Sequence, residues 1–151
     1  MDYRERLWVP ASWWGIGLFF AVSFTTAVGF AVSPLVSGLA GVLTIAGVAG
    51  ALLWYGSVPV VVDERGLTAG DSVLERPWLG EAEPLDSAAT RRLLGPEADP
   101  AAHLVTRGYV RTAVRVWVDD PADPHPYWLI STRHPRELAA ALVVARSSMQ
   151  R

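Results

Sequence analysis

The feature that most constrains this chain is a long stretch without any ionisable side chain. No Asp, Glu, Lys, Arg or His occurs between Arg6 and Asp63, whereas all 15 acidic and all 13 basic residues lie outside that stretch. Helices buried in a soluble protein need a polar face elsewhere to meet water, and 151 residues are too few to cover such a segment. Lipid is its natural solvent, so we expect an integral membrane protein.

The length of this stretch predicts two membrane spans. A helix needs about 20 apolar residues to cross the hydrocarbon core, which leaves room for two helices and a tight turn. Pro34 is tolerated at the first position of a new helix, and Ser33 can cap it. The predicted organisation is a cytoplasmic segment 1–11, a transmembrane hairpin 12–56 with spans at about 12–32 and 35–55, and a cytoplasmic β-rich domain 57–151.

Aromatic side chains begin the first span and end the second, so both groups fall at one interface. Indole and phenol rings prefer the headgroup level, where the ring is shielded and the polar atom stays wet. The pattern indicates one half of an aromatic belt, and core packing is the alternative. The residues are Trp8, Trp13, Trp14, Trp54 and Tyr55.

The arginines predict the orientation. Arg4 and Arg6 precede the first span and Arg65 and Arg76 follow the second, while the loop between the spans has no cation. The positive-inside rule then predicts a multi-pass protein of the plasma membrane with both termini cytoplasmic. A cleaved signal peptide is the competing interpretation, but a second apolar span follows at once and no small-residue cleavage site precedes a soluble sequence.

Small residues in the second span predict close helix packing. Gly38, Gly41, Gly47 and Gly50 recur at helical spacings, and small side chains let helices approach closely. The contact would lie within the hairpin, in a homodimer or against a partner helix. The absence of ionisable residues from both spans argues against a transport role.

Beyond residue 57 the hydrophobic pattern alternates, which is typical of strands. We expect a small α+β domain, an antiparallel β barrel or sandwich closed by a C-terminal helix. Its strand-turn-strand beginning, its return strand 127–133 and its helix 135–142 resemble membrane-tethered bacterial domains of the pleckstrin-homology-like type. The predicted strands are 58–63, 67–69, 72–76, 79–84, 109–118 and 127–132, with helices at 87–94, capped by Asp86, and from Pro135.

Composition excludes several kinds of chemistry. The chain has no Cys, so no disulfide framework, thiolate nucleophile or cysteine zinc site is available. A net charge of −2 argues against nucleic-acid binding. No catalytic, cofactor-binding or metal-binding motif appears, and no cofactor is expected. The cluster Asp119, Asp120, Asp123 and His125 could surround a cation, but aspartates next to prolines are ordinary turn residues.

One face of the strand 109–118 is the strongest candidate binding surface. Alternate strand residues project together, and this face would be both cationic and aromatic. Guanidinium groups pair with phosphate or carboxylate, so anionic headgroups or a protein partner could bind there. A solvated face with cross-strand ion pairs is the alternative. The residues are Arg107, Tyr109, Arg111, Arg115 and Trp117.

The whole chain is also similar to a family of small actinobacterial membrane proteins catalogued only as a domain of unknown function. The resemblance implies a membrane location and an actinobacterial source, and it carries no catalytic residue. The segments that carry it are 3–10, 99–101, 110–116, 119–124 and 126–133.

These observations favour a membrane-anchored, non-enzymatic interaction module whose cytoplasmic domain binds a protein partner or anionic headgroups. The alternative is a small accessory subunit that contacts a larger membrane complex through its hairpin. An enzyme would need a pocket with clustered titratable groups.

Overall fold

The computed structural model describes residues 3–148 and divides the chain into two compact units. The first, residues 8–57, consists of helix α1, Ala11–Gly29, and helix α2, Pro34–Gly56. Both are long and apolar enough to cross a membrane, by length and composition. Pro34 is the first residue of α2, as predicted, and Ser33 occupies the N-cap position without a side-chain capping bond.

The two helices pack closely where a glycine faces a larger side chain. A Cβ at Gly17 would lie 2.7 Å from a methyl of Val48, and one at Gly41 would lie 2.8 Å from a methyl of Thr25. Both distances are shorter than ordinary van der Waals contact, so glycine permits this approach.

The second unit contains a first sheet of four antiparallel strands in the order β1-β2-β3-β4. Gly66, the first residue of β3, directly follows the turn from β2 with φ +140°, a conformation that favours glycine. The predicted strand-turn-strand beginning, with strands at 58–63 and 67–69, is confirmed by the antiparallel pairing of β2 with β3. The strands are β1, Tyr3–Leu7, β2, Val58–Val62, β3, Gly66–Ala69, and β4, Ser72–Glu75.

The second sheet has the order β5-β7-β8-β6, in which only β6 and β8 run parallel. A 3-10 turn, Arg76–Trp78, leads into it. Asp86 caps α3 as predicted, because its carboxylate accepts hydrogen bonds from the backbone N–H groups of Ala88 and Ala89. The elements are β5, Leu79–Leu85, α3, Ser87–Leu93, β6, His103–Val105, β7, Ala113–Val118, β8, Tyr127–Ser131, and α4, Pro135–Ser147.

The core of this unit lies between the two sheets and α4. Leu138 and Leu142 of α4 are buried together with Val60 of the first sheet and Val114 and Ile130 of the second. The prediction of two apolar helices followed by a β-rich domain with a C-terminal helix is thus confirmed. Both sheets are open.

Strand β1 was not predicted. It precedes α1 and pairs with β2, which follows α2, so the helical unit is inserted between two neighbouring strands of one sheet. The carboxylate of Glu5 in β1 accepts hydrogen bonds from the Tyr3 hydroxyl (2.7 Å), the Thr132 hydroxyl and the Arg133 N–H (3.0 Å). Burial raises the pKa of Tyr3, and the bond to Glu5 raises it further against the opposing bond to Thr132.

The predicted strand 109–118 is wrong in its first half. Strand β7 begins at Ala113, because the N–H of Val110 donates to the carbonyl of Arg107 (2.8 Å) and closes a turn there. Val114 and Val116, which alternate with Arg115 along β7, are buried in the core.

Candidate anion-binding cleft

The structure divides the predicted cationic and aromatic face into two parts. Arg115 and Trp117 lie on β7, whereas Arg107, Tyr109 and Arg111 lie in segment 106–112, which precedes the strand. The two groups therefore need separate descriptions.

Arg115 is held within the second sheet. It lies opposite Glu83 of β5 and donates two hydrogen bonds to one oxygen of that carboxylate, of which the Nε bond is 3.1 Å long. Its guanidinium carbon lies 5.0 Å from the ring centre of Trp117 and 5.7 Å from that of Tyr127. This is a cross-strand ion pair with cation–π contacts, so the charge of Arg115 is already matched.

Arg107 and Arg111 instead line a cleft of about 510 Å³ with helix α3. Segment 106–112 is fixed beside it, because Tyr109 and Val110 pack against Leu7 and Val58. The cleft residues from α3 and its end are Ser87, Thr90, Arg91, Leu94 and Gly95, and those from the segment are Thr106, Arg107, Gly108, Val110 and Arg111.

The cleft is strongly cationic. Among the residues that the structure describes, three arginines and no carboxylate line it. Within residues 3–148, Arg91 and Arg111 have no ion-pair partner. Arg107 is held in place, since its backbone N–H donates to the Ser131 hydroxyl (3.0 Å) and its Nη1 donates to the carbonyl of Thr106 (2.9 Å). Guanidinium groups in such a site favour phosphate or carboxylate.

Thr90 in the wall of the cleft has a buried hydroxyl without a partner. The residue is 3% exposed, and its hydroxyl finds no hydrogen-bond partner in the part of the chain that the structure describes. Thr25, Thr26 and Thr44 each donate to the carbonyl four residues earlier, and Thr90 does not. A buried donor of this kind is costly unless a partner arrives.

Sequence reasoning found Arg107 and Arg111 but missed Arg91 and Thr90. The helix carrying both was predicted, but its position beside segment 106–112 depends on tertiary contacts. A helical run with two consecutive arginines, Arg91 and Arg92, was the available signal. Arg92 pairs with Glu97 at 3.4 Å instead.

The aspartate and histidine cluster forms a turn. Carboxylates of Asp120 and Asp123 accept the N–H groups of Ala122 and His125, both at 2.8 Å, as aspartates in turns commonly do. Among residues 3–148, no group of three or more His, Asp or Glu side chains could hold a metal ion.

His103 lies beside this turn. Its Nε2 is 3.1 Å from the Ser72 hydroxyl, and its ring centre is 5.2 Å from that of His125. Burial lowers the pKa of His103, and the charge of His125 lowers it further against the attraction of Asp123.

In the helical unit, some of the residues predicted for the membrane interface and for helix packing contact the other helix, and others do not. Trp13 stacks on Tyr55 at a ring distance of 5.9 Å, which joins the first aromatic group to the second. Trp8, Trp14 and Trp54 are exposed. Only Gly41 of the four predicted glycines meets the other helix, and a Cβ at Gly38, Gly47 or Gly50 would enter open space.

Comparison with known proteins identifies a family. No curated protein and no solved structure shows significant similarity to the chain. The model of a family described as protein of unknown function, DUF3093, matches residues 2–142. Because the match covers nearly the whole chain, the protein belongs to the DUF3093 family.

Proposed function

We propose that this protein is a membrane-anchored interaction module whose β-rich domain binds anionic groups of a partner or of lipid headgroups. The observation that carries the proposal is the cleft between α3 and segment 106–112, whose described lining contains three arginines and no carboxylate. Two of these arginines have no ion-pair partner within residues 3–148.

The anchor is the pair of apolar helices, in the plasma membrane with both termini cytoplasmic. The helices bury few of their side chains, so they offer apolar surface to lipid. The pairing of β1 with β2 supports this arrangement, since it favours a helical pair whose two ends leave the membrane on the same side. Arginines flank these two ends, and the turn between the helices carries none.

We also propose that the β-rich domain is of the pleckstrin-homology-like type, as predicted from its sequence. Support comes from the C-terminal helix, whose Leu138 and Leu142 share one core with both sheets.

Hydrogen exchange of the full-length protein tests anion binding directly. The protein would be placed in nanodiscs of phosphatidylcholine alone and of phosphatidylcholine with 30% phosphatidylglycerol. The first sample would also be titrated with a hexaglutamate peptide. We expect slower exchange at residues 87–95 and 106–111 with the phosphatidylglycerol or with the peptide, since a bound anion orders these segments.

The matched variants are R91Q/R111Q in the cleft and R65Q/R136Q outside it. Each double variant removes two exposed charges. The first should lose the protection and the second should keep it. Equal exchange in the wild-type protein under all three conditions would contradict the proposal.

A second candidate function, an accessory subunit of a membrane complex, is favoured by one feature of the helical unit. An apolar groove of about 270 Å³ lies between α1 and α2, with Gly15, Gly17 and Ala49 in its walls. Gly47 and Gly50 add open surface elsewhere on α2. If a partner helix packs there, G47L/G50L should abolish its co-purification in mild detergent, whereas an intact complex would contradict this role.

A further inference from the structure

We infer that the arginine cleft is a binding site for a phosphate monoester, with the Thr90 hydroxyl as one of its donors. This inference rests on the proposed function and specifies its ligand class.

Charge favours a monoester over other anions. In the described part of the chain, residues 3–148, the lining carries three guanidinium groups and no carboxylate. A phosphate monoester carries about −1.5 to −2 charge at neutral pH and three terminal oxygens, whereas a carboxylate or a phosphodiester brings a single charge. The dianion therefore matches the cleft best.

The hydrogen-bond donors of the cleft also favour a phosphate monoester. Each guanidinium offers five N–H donors, and the free N–H groups of Arg91 and Arg111 are not used by any ion pair within residues 3–148. Arg107 is already oriented by Thr106 and Ser131. The Thr90 hydroxyl adds a neutral donor that lacks an acceptor in the described chain.

The size of the cleft indicates an organic phosphate rather than the bare ion. Its volume of about 510 Å³ falls within the range of small-molecule sites, which is about 300–1,000 Å³. Leu94 and Val110 give it apolar walls, against which the organic part of a ligand would pack. A soluble metabolite and a lipid such as phosphatidic acid share this chemistry.

Titration of the full-length protein in phosphatidylcholine nanodiscs tests the ligand class. The probes are inorganic phosphate, glycerol 3-phosphate, dimethyl phosphate as a diester and sulfate, all at one ionic strength. We expect glycerol 3-phosphate to bind at least about tenfold more tightly than dimethyl phosphate, because hydrogen bonds to charged groups contribute about 1.5–3 kcal/mol. Equal affinity for the monoester and the diester would overturn the inference.

A second arm distinguishes a lipid source from a soluble one. Nanodiscs with phosphatidic acid and nanodiscs with phosphatidylglycerol would be compared at equal total lipid charge by hydrogen exchange at residues 87–95 and 106–111. Stronger protection by phosphatidic acid assigns the monoester to the membrane. Protection by glycerol 3-phosphate alone assigns it to a soluble molecule.

The variants complete the test. R91Q/R111Q should weaken glycerol 3-phosphate binding by about 100-fold and T90V by about tenfold, with R65Q/R136Q unchanged. All four side chains replaced in the double variants are exposed, so folding should be preserved, and melting temperatures would check it. Unchanged affinity of R91Q/R111Q would overturn the inference. If phosphatidylglycerol or hexaglutamate protects the cleft but no monoester binds better, the proposed function stands and the monoester inference falls.

Discussion

Leu7 and Val58 lie directly opposite each other on neighbouring antiparallel strands, although the whole helical unit separates them along the chain. Both side chains are buried, in one cluster with Val110. The β-rich domain is therefore assembled from two separate pieces of sequence, and its first strand is as much a part of its core as any later one.

This pairing predicts that the β-rich domain can be freed from its anchor only by keeping β1. If residues 8–57 are replaced by a Gly-Asn-Gly-Gly turn, β1 and β2 become an ordinary hairpin. We expect a soluble monomer with a cooperative thermal transition, measured by size-exclusion chromatography and circular dichroism.

The matched comparison is residues 58–151 alone. That fragment lacks β1, so the edge of β2 loses its partner and offers a template for aggregation. A stable, monomeric fragment 58–151 would contradict the role assigned to β1.

Two buried threonines should respond in opposite directions to the same substitution. Thr90 has no partner for its hydroxyl within residues 3–148, so T90V should raise the free energy of unfolding by about 1 kcal/mol. Thr132 donates to Glu5 and accepts from the N–H of His134 (3.0 Å), so T132V should lower it by about 2 kcal/mol. Denaturant unfolding of the domain linked by the Gly-Asn-Gly-Gly turn measures both changes in the free energy of unfolding. Equal changes for T90V and T132V would contradict the difference in hydrogen bonding between the two hydroxyls.

Acidification should destabilise the domain through His103. Its pKa lies below the ordinary value of 6.5 because of burial and of His125, so just below pH 6.5 the unfolded state binds more protons than the folded state. The free energy of unfolding therefore falls as the pH drops from 7 toward 5. Asp123 also has a lowered pKa, mainly through the N–H of His125, but its loss of stability comes below about 3.8, in a separate window.

Melting temperatures at pH 7.5, 6.5 and 5.5 check this expectation. H103Q should reduce the decrease between pH 6.5 and 5.5. H134Q serves as the matched control, because the His134 side chain is 56% exposed. An identical pH profile for wild type and H103Q would show that another group is responsible.

The absence of cysteine from the sequence makes the membrane topology directly measurable. Ala31 lies in the turn between the helices and Ala98 in an exposed loop of the β-rich domain. The proposed orientation, with both termini cytoplasmic, predicts that an impermeant maleimide labels A31C in intact cells and A98C only after permeabilisation. Labelling of A98C in intact cells would reverse the orientation.

Much of the fold could be predicted from local sequence. The charge-free stretch predicted the two helices, the alternating pattern predicted the strands that became β2 and β3, and Asp86 marked the start of α3. Strand β1 was missed because its partner lies beyond the helical unit, and no local pattern reports such a distant pairing. The first half of the predicted strand 109–118 was wrong. The alternation of apolar and polar residues continues through a turn there, and only the backbone hydrogen bonds reveal that turn.

The cleft was predictable only in part for a similar reason. Arg107 and Arg111 stood out as cations near a strand. Their companions Arg91 and Thr90 come from a helix whose position beside them is set by the packing of Tyr109 and Val110 against the end of the first sheet. The spacing of residues along the chain does not reveal that contact.

The insertion of the helical unit between β1 and β2 also determines when the first sheet can form during synthesis. The segment that becomes β1 leaves the ribosome before the helices, and its partner strand Val58–Val62 follows only after both of them. The first sheet therefore cannot form before both helices have been synthesised. Until then β1 is an unpaired strand, which makes the incomplete chain recognisable to chaperones and proteases.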